Sequence, residues 1–307
     1  MKKFNLLLIC LGVLLLCAAC QKDDEPQKKV MEDRNISLYM HETGEVEEID
    51  LEEYLCGVVA AEMDVNWPKE ALAAQAILAR TFTLEKIEAG GVAARGTDAS
   101  TDIEEFQAYD AGKINDNVRE AVAQTEGQVV TYDGKLIKAW FFADGGGMTS
   151  ASAEEGLSYT KTPTPYIHSV EDPGADLADN ENNQWEATFS LEEVNAALTQ
   201  IGIEPLSELT EASIAQTGES GRAITLSLNG EEVGAVAFRL AVGSEKMKST
   251  LLEEISASSG ELYLKGRGYG HGVGMSQWGA RALAEQGKSA QEIIGYFFQD
   301  VQIEEIY

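Results

Sequence analysis

A glutamate stands where the amphipathic pattern calls for a hydrophobic residue. Leu51, Tyr54, Leu55, Val58 and Val59 recur at the i, i+3, i+4, i+7, i+8 spacing of one helix face, and the next position on that face is Glu62. Asp50 can cap this helix, Glu53 completes a capping box, and Ile49 can staple onto Tyr54, which secures the phase of the stripe. An ionised carboxylate aimed inward is costly, so Glu62 must raise its pKa or find a cation. A carboxylic acid kept protonated near neutral pH in a partly dry cleft is what general acid catalysis requires. A Glu that snorkels to the surface, or one locked in a structural ion pair, fits the same position without chemistry.

The following helix offers a partner. Trp67-Pro68 marks its start, since Pro is favoured at the first helical position. From Ala71 to Leu84 the chain is apolar nearly all round, with Gln75, Arg80, Thr81 and Thr83 as the polar exceptions, so this helix is expected to be buried on every face. Arg80 shares a face with Ala73, Ile77, Leu84 and Ile87. A guanidinium cannot discharge, so a buried Arg80 implies a carboxylate or an anionic ligand. Glu62 is one candidate partner, and a purely structural pair is equally consistent with the pattern.

Near the C-terminus every second residue is glycine, from Gly266 through Gly268, Gly270 and Gly272 to Gly274, interleaved with Arg267, Tyr269, His271 and Val273. In extended geometry one face would be bare backbone, open to close approach, and the other would carry Arg, Tyr and His. Tight packing of this strand on a helix competes with a ligand role for His271. A phosphate-cradling loop is rejected, because neither G-x-x-x-x-G-K-[ST] nor G-x-G-x-x-G after a strand is present. Ser276 can cap a helix from Gln277 to Gln286, and Ser289 with Glu292 opens the last one.

These groups need a scaffold, and the composition bounds it. The chain has 307 residues and a net charge of −29, which repels nucleic acid and excludes it as a partner. Lys2 and Lys3 precede an apolar run from Phe4 to Ala19, a signal-type arrangement that fills residues 1–20. It ends in Cys17-Ala18-Ala19-Cys20, which resembles a bacterial lipobox with Cys20 as the lipidated residue. An uncleaved anchor is the rival; either way the protein is expected outside the cytoplasmic membrane and held at its face. Residues 21–34 are charged and apolar-poor, the composition of a flexible tether. Beyond Cys20 only Cys56 remains, so no intramolecular disulfide framework exists. Cys56 lacks a local His and reads as packing. The three His and Cys56 never fall at ligand spacing, so no structural zinc and no other cofactor is expected.

Ile36, Leu38 and Met40 alternate before Thr43-Gly44, which predicts a hairpin leading into the first helix. A polar stretch over 90–110 separates the helix pair from a helix through Val118, Ala121, Val122 and Thr125. A hairpin follows from Val129 to Tyr132, turning at Asp133-Gly134 and returning through Leu136 to Phe142. From about Trp185 the pattern changes: Ser190 and Glu193 cap a helix through Ile201, and strands 223–228 and 233–238 flank Asn229-Gly230. The expected class is α+β, a buried helix pair packed with antiparallel hairpins, plus a smaller inserted α/β subdomain at about 185–262 within a domain spanning 35–307.

Several segments carry a resemblance. Residues 54–63 (YLCGVVAAEM), Trp67 to Leu72, Ala74-Gln75-Ala76, Ala79-Arg80-Thr81 and residues 266–280 (GRGYGHGVGMSQWGA) resemble the stage II sporulation protein D family. Ser220-Gly221-Arg222, and Arg239 before Lys248-Ser249-Thr250, do so as well, and the likeness runs in order from about residue 36 to 307. It implies a lytic transglycosylase that cleaves peptide-stripped peptidoglycan glycan strands, or a relative that enhances a cell-wall amidase. Glu62 aligns with the catalytic glutamate, which would protonate the glycosidic oxygen and then help the sugar's own 6-hydroxyl close a 1,6-anhydro ring. Gln75, Arg80, Gln107, Thr149, Tyr166, Tyr269, His271 and Gln277 fall at positions implied to bind substrate or support the site. Some family members hold zinc through His and Cys in the loop matching 96–107, which here has neither. His168 stands where Lys is common. The bare glycine face is expected to pack on the helix pair and leave Tyr269, His271 and Gln277 beside Glu62 at the floor of a cleft, with the Thr149–Tyr166 region near. A non-catalytic glycan-binding partner of an amidase and a structural adaptor remain as competing functions.

Overall fold

The computed structural model describes residues 34–177, 180 and 182–307; the signal-type segment, Cys20 and most of the tether lie outside the described residues. The fold is α+β. Strands β1 (Asn35–Tyr39) and β2 (Val46–Asp50) form the expected hairpin and run straight into α1 (Leu51–Glu62). Asp50 caps α1 by accepting from the backbone N–H of Glu52 and Glu53. Helix α2 (Lys69–Glu88) packs against α1, and the short strand β3 (Ala99–Ser100) returns to pair in parallel with β1. In the next helix, α3 (Asp116–Ala123), Arg119 takes the carboxylate of Glu53, so Glu53 is drawn outward into an ion pair with Arg119.

Burial follows composition. Ala71–Ala74, Ala76–Ala79 and Leu84 of α2 are at most 5% exposed, as an all-round apolar run requires. The face of α1 is broader than a stripe: Cys56, Gly57 and Ala60 are buried along with Leu51, Tyr54, Leu55, Val58 and Val59. Each fully buried Leu or Val contributes roughly 1.5–3 kcal/mol, so this helix pair is the main anchor of the fold. Cys56 is free and buried, and burial pushes its thiol up to about 11, in keeping with a packing role.

Strand β4 (Gln128–Tyr132) turns at Asp133-Gly134 into β5 (Lys135–Leu136), which ends sooner than the pattern predicts. The chain then leaves that sheet, and β6 (Phe141–Phe142) pairs in parallel with a strand far downstream. The short helix α4 (Ala153–Leu157) follows.

A second hydrophobic cluster is built from residues 185–264. It contains β7 (Trp185–Ser190), α5 (Leu191–Gln200), β8 (Ala212–Thr217), β9 (Ala223–Leu228), β10 (Glu231–Gly234), α6 (Ala235–Val242), β11 (Leu252–Ser258) and β12 (Glu261–Gly266). Its sheets run β10-β9-β8 and β11-β12-β7 with every neighbour antiparallel, so this region is α+β and not the α/β unit expected. The strand expected over 233–238 stops at Gly234, after which Ala235–Val242 turns helical and buries Phe238. The chain returns to the main core through β13 (Met275–Ser276), α7 (Gln277–Glu285), α8 (Ala290–Phe297) and β14 (Gln302–Glu305). Strand β14 closes on β4, and α7 and α8 pack on α2.

The glycine-alternating segment departs from expectation. Only Gly266 belongs to a strand; Gly268, Gly270, Gly272 and Gly274 all take positive φ, so residues 267–274 are a coiled connection and not an extended ribbon. At Gly274 the reason is local: φ is +81°, and a Cβ there would sit 2.2 Å from the Trp140 carbonyl. The close approach that these glycines permit is to Trp185 and Leu251 at Gly266, and to residues 140–146, Arg222 and Phe298 from Gly268 to Gly274, not to the helix pair.

Candidate active site

Glu62 is the last residue of α1, and Met63 beyond it is extended. Its carboxylate is therefore held at the negative end of the helix dipole, among core residues, where ionisation is disfavoured twice. Two neutral donors reach it: the Ala108 N–H meets Oε1 at 3.1 Å, and Gln277 Nε2 meets Oε2 at 3.4 Å. Burial raises the pKa of Glu62, and the Ala108 and Gln277 hydrogen bonds oppose the rise without cancelling it. No cation is among the causes that set its pKa.

Each donor is positioned by the fold. Gln107 is buried, and its Nε2 donates to Thr83 Oγ1 at 2.9 Å, which pins the backbone just before Ala108 to α2. Tyr109 stacks on Tyr54 with ring centroids 5.6 Å apart, and it can do so because Gly57 has no side chain; a Cβ there would lie 2.2 Å from the ring. Asp110 N–H donates to the Gly57 carbonyl, completing the clamp. Gln277 is the first residue of α7, whose start is set by Ser276 capping Gly279 and by β13 pairing with β6.

The remaining residues singled out from sequence make no hydrogen bond to Glu62. Arg80 is fully buried but does not pair with Glu62: its Nε donates to Glu52 Oε1 at 2.7 Å and its Nη1 to the Gln128 carbonyl at 3.0 Å. Tyr307 also hydrogen-bonds Glu52, so Arg80 ties α1, α2, β4 and the C-terminus together and is a structural node. The helical phase aims it at the first turn of α1, one end of the helix away from Glu62. Gln75 is fully buried, and neither of its amide atoms has a hydrogen-bond partner among the described residues. Thr149 accepts from the Val170 N–H at 2.9 Å and Tyr166 from the Lys138 N–H at 2.8 Å; both brace loops and neither hydroxyl is bonded to Glu62.

Tyr269 donates to Glu245 and lies under the Lys248 ammonium, on the side of the second cluster. His271 Nδ1 accepts from the Val273 N–H at 3.0 Å, and burial with the nearby Arg239 and Arg222 charges pushes its pKa down to about 3. Its ring thus braces the turn between residues 271 and 273. From the C-terminal part of the chain, the Gln277 side chain hydrogen-bonds Glu62. Cavities of about 370 Å³, between Met148, Asp172, Asn183, Arg267 and Tyr296, and about 220 Å³, between Glu52, Cys56 and Arg119, do not include Glu62 in their walls.

Buried polar groups outside the site escaped the sequence pattern. Asp172 is 3% exposed, accepts from the Gly145 and Gly174 N–H groups, and burial raises its pKa to about 6. Glu155 accepts from Ser150, Ala151 and Ser220. These carboxylates bridge segments distant in sequence, so no local periodicity marks them. In the loop 96–107 Asp98 accepts from Ser37, and Glu105 is held by Arg95 and Ser100. Among the described residues no three His, Cys, Asp or Glu are grouped to hold a metal ion.

A profile described as stage II sporulation protein matches residues 39–132, and a domain family of unknown function matches residues 158–274. The first match contains Glu62, Gln107 and Ala108. Stage II sporulation protein D of Bacillus amyloliquefaciens is 32% identical over 286 residues, which covers 88% of this chain and 79% of that protein. Its namesake in Bacillus subtilis (strain 168) is 30% identical over 287 residues with the same coverage. The amidase enhancer of Bacillus subtilis (strain 168) is 29% identical over 295 residues, 80% of this chain but 39% of that protein. With the helix pair inside the family profile and the likeness continuing along most of both chains, this chain belongs to the stage II sporulation protein D family.

Proposed function

We propose that this chain acts on peptidoglycan during sporulation or wall remodelling, as a lytic transglycosylase exported and tethered outside the cytoplasmic membrane. The observation that carries the reading is Glu62, a largely buried carboxyl with a raised pKa, held by two neutral donors. Protonated Glu62 gives its proton to the glycosidic oxygen, and the electron pair of the breaking C–O bond goes to that oxygen. The carboxylate so formed takes the proton of the sugar's own 6-hydroxyl, whose oxygen closes on the anomeric carbon. The acid ends the cycle protonated, and no water is consumed. One carboxyl serves as acid and then as base, so this route does not call on the second carboxylate of two-carboxylate hydrolysis.

The tether rests on Lys2, Lys3, the apolar run and Cys20. Among the described residues no helix is long and apolar enough to cross a membrane. The likeness to an amidase enhancer favours a second reading, in which the chain binds glycan strands and stimulates a separate amidase. Mass spectrometry of products from purified peptidoglycan, with and without prior amidase treatment, separates the two. New 1,6-anhydro ends support the enzyme; stimulated peptide release without them supports the enhancer.

A further inference from the structure

Two tryptophans close in sequence to Glu62 and to its partner Gln277 are partly exposed. Trp67 lies in the turn that follows α1, and Trp278 is the chain neighbour of Gln277, the residue that touches Glu62. Their rings meet edge to face with centroids 4.9 Å apart. The Arg281 guanidinium, one turn along α7, lies 5.3 Å from the Trp67 centroid and 5.0 Å from that of Trp278. Trp67 also packs on the main core, but Trp278 is only partly buried and belongs to neither core; its ring meets Trp67 and Arg281.

The turn is held in place before any ligand arrives. Asn117 Nδ2 donates to the Val65 carbonyl at 2.9 Å and to the Trp67 carbonyl at 3.0 Å, and Asn115 Nδ2 donates to the Val65 carbonyl at 3.2 Å. The Trp67 N–H closes on the Asp64 carbonyl at 3.0 Å. Asp64 also accepts from Asn66 through its side chain. A large apolar ring left partly exposed, on a backbone this firmly fixed, is a surface prepared for an apolar face presented by something else.

We propose that Trp278, with Trp67 and Arg281 behind it, is a stacking platform for an N-acetylhexosamine ring flanking the bond that Glu62 cleaves. One face of a pyranose in a β-1,4-linked strand is a sheet of C–H bonds, and it matches an indole. The sugar hydroxyls and acetamido group lie at the rim of that face, free to meet polar side chains or water. Trp67 and Arg281 set the tilt of Trp278, and the platform joins the two ends of the chain at the acid. The inference rests on the reading of Glu62 as an acid beside a glycan.

The test measures binding apart from turnover. Calorimetric titration of Glu62→Gln protein with tetra-N-acetylchitotetraose is compared with the same protein carrying Trp278→Ala or Trp278→Phe. The expected result is about tenfold weaker binding for Trp278→Ala. Trp278→Phe, which keeps an aromatic face, should restore most of it. Melting temperatures are taken alongside, because a merely structural stack would lower them equally with no change in affinity. Equal affinity with and without Trp278 overturns the platform. If wild-type protein releases no anhydro-sugar while affinity still depends on Trp278, the platform stands and the transglycosylase reading falls. If wild-type cleaves and Trp278→Ala leaves both affinity and KM unchanged, the reverse holds.

Discussion

Gln277 Nε2 lies 3.4 Å from Glu62 Oε2, although 215 residues separate the two in the chain. One is the last residue of α1 and the other the first of α7, so a helix end meets a helix start at the proposed reaction centre. The contact exists because the chain leaves the main core at β6, builds a second cluster, and returns through β13 to pair beside its point of departure. The acid is thus completed by the last third of the chain.

Glu62→Gln should abolish glycan cleavage while leaving the fold intact. The change is nearly isosteric and removes the transferable proton. A sole acid and base is expected to contribute roughly 3–5 kcal/mol to lowering the barrier, a loss of several hundred-fold or more. Release of anhydro-sugars by the variant at the wild-type rate would remove Glu62 from the mechanism.

Gln277→Ala tests the donor. Its hydrogen bond favours ionised Glu62, so its loss leaves burial less opposed and the pKa of Glu62 rises further. General acid catalysis fails as the acid deprotonates, so the alkaline limb of the pH–rate profile should move to higher pH. A limb that stays fixed, or moves down, would show that Gln277 does not set the protonation of Glu62.

Arg80→Ala should cost about 3–5 kcal/mol of stability, because it strands the Glu52 carboxylate in a mostly buried site. Activity per folded molecule should be unchanged, since Arg80 touches Glu52 and the Gln128 carbonyl and not Glu62. Denaturant titration with product analysis on the folded protein reads both. A variant of normal stability and lost activity would return Arg80 to the active site.

Asp172 makes stability depend on pH in a defined direction. Its folded pKa of about 6 lies above the ordinary value of 3.8, so the folded state binds the extra proton. Its contribution is complete below about pH 4 and is lost as pH rises through about 6, on the order of 2–3 kcal/mol. Burial also raises the pKa of Glu62 and Asp144, which adds slope of the same sign. In Asp172→Asn the fall in stability between pH 4 and 6 should be shallower than in wild type. Parallel curves for the two proteins would contradict the assignment.

The amino-acid pattern alone determined the helix pair, the Asp50 cap and the inward aim of Glu62, whereas the capping box expected of Glu53 gives way to its ion pair with Arg119, and Pro68 stands just before α2 and not at its first position. The first three follow from local rules: the 3.6-residue period, the Asp50 cap, and Pro68 before an apolar run. The hairpins at Thr43-Gly44 and Asn229-Gly230 were legible for the same reason. What occupies the space opposite a side chain was not. Arg80 on its apolar stripe had to find an anion, but whether Glu52 or Glu62 supplied it depended on how α1 crosses α2. Glycine alternation suggested a ribbon with one bare face, yet positive φ at four positions coils the segment around Arg222 and residues 140–146. Glycine tolerates both geometries, so its spacing could not choose between them. The pairings of Glu62 with Ala108 and Gln277, and of Trp67 with Trp278, join residues whose spacing in sequence carries no periodic signal. Only the packing of the whole chain, which brings α7 back onto α2 beside the end of α1, decides them.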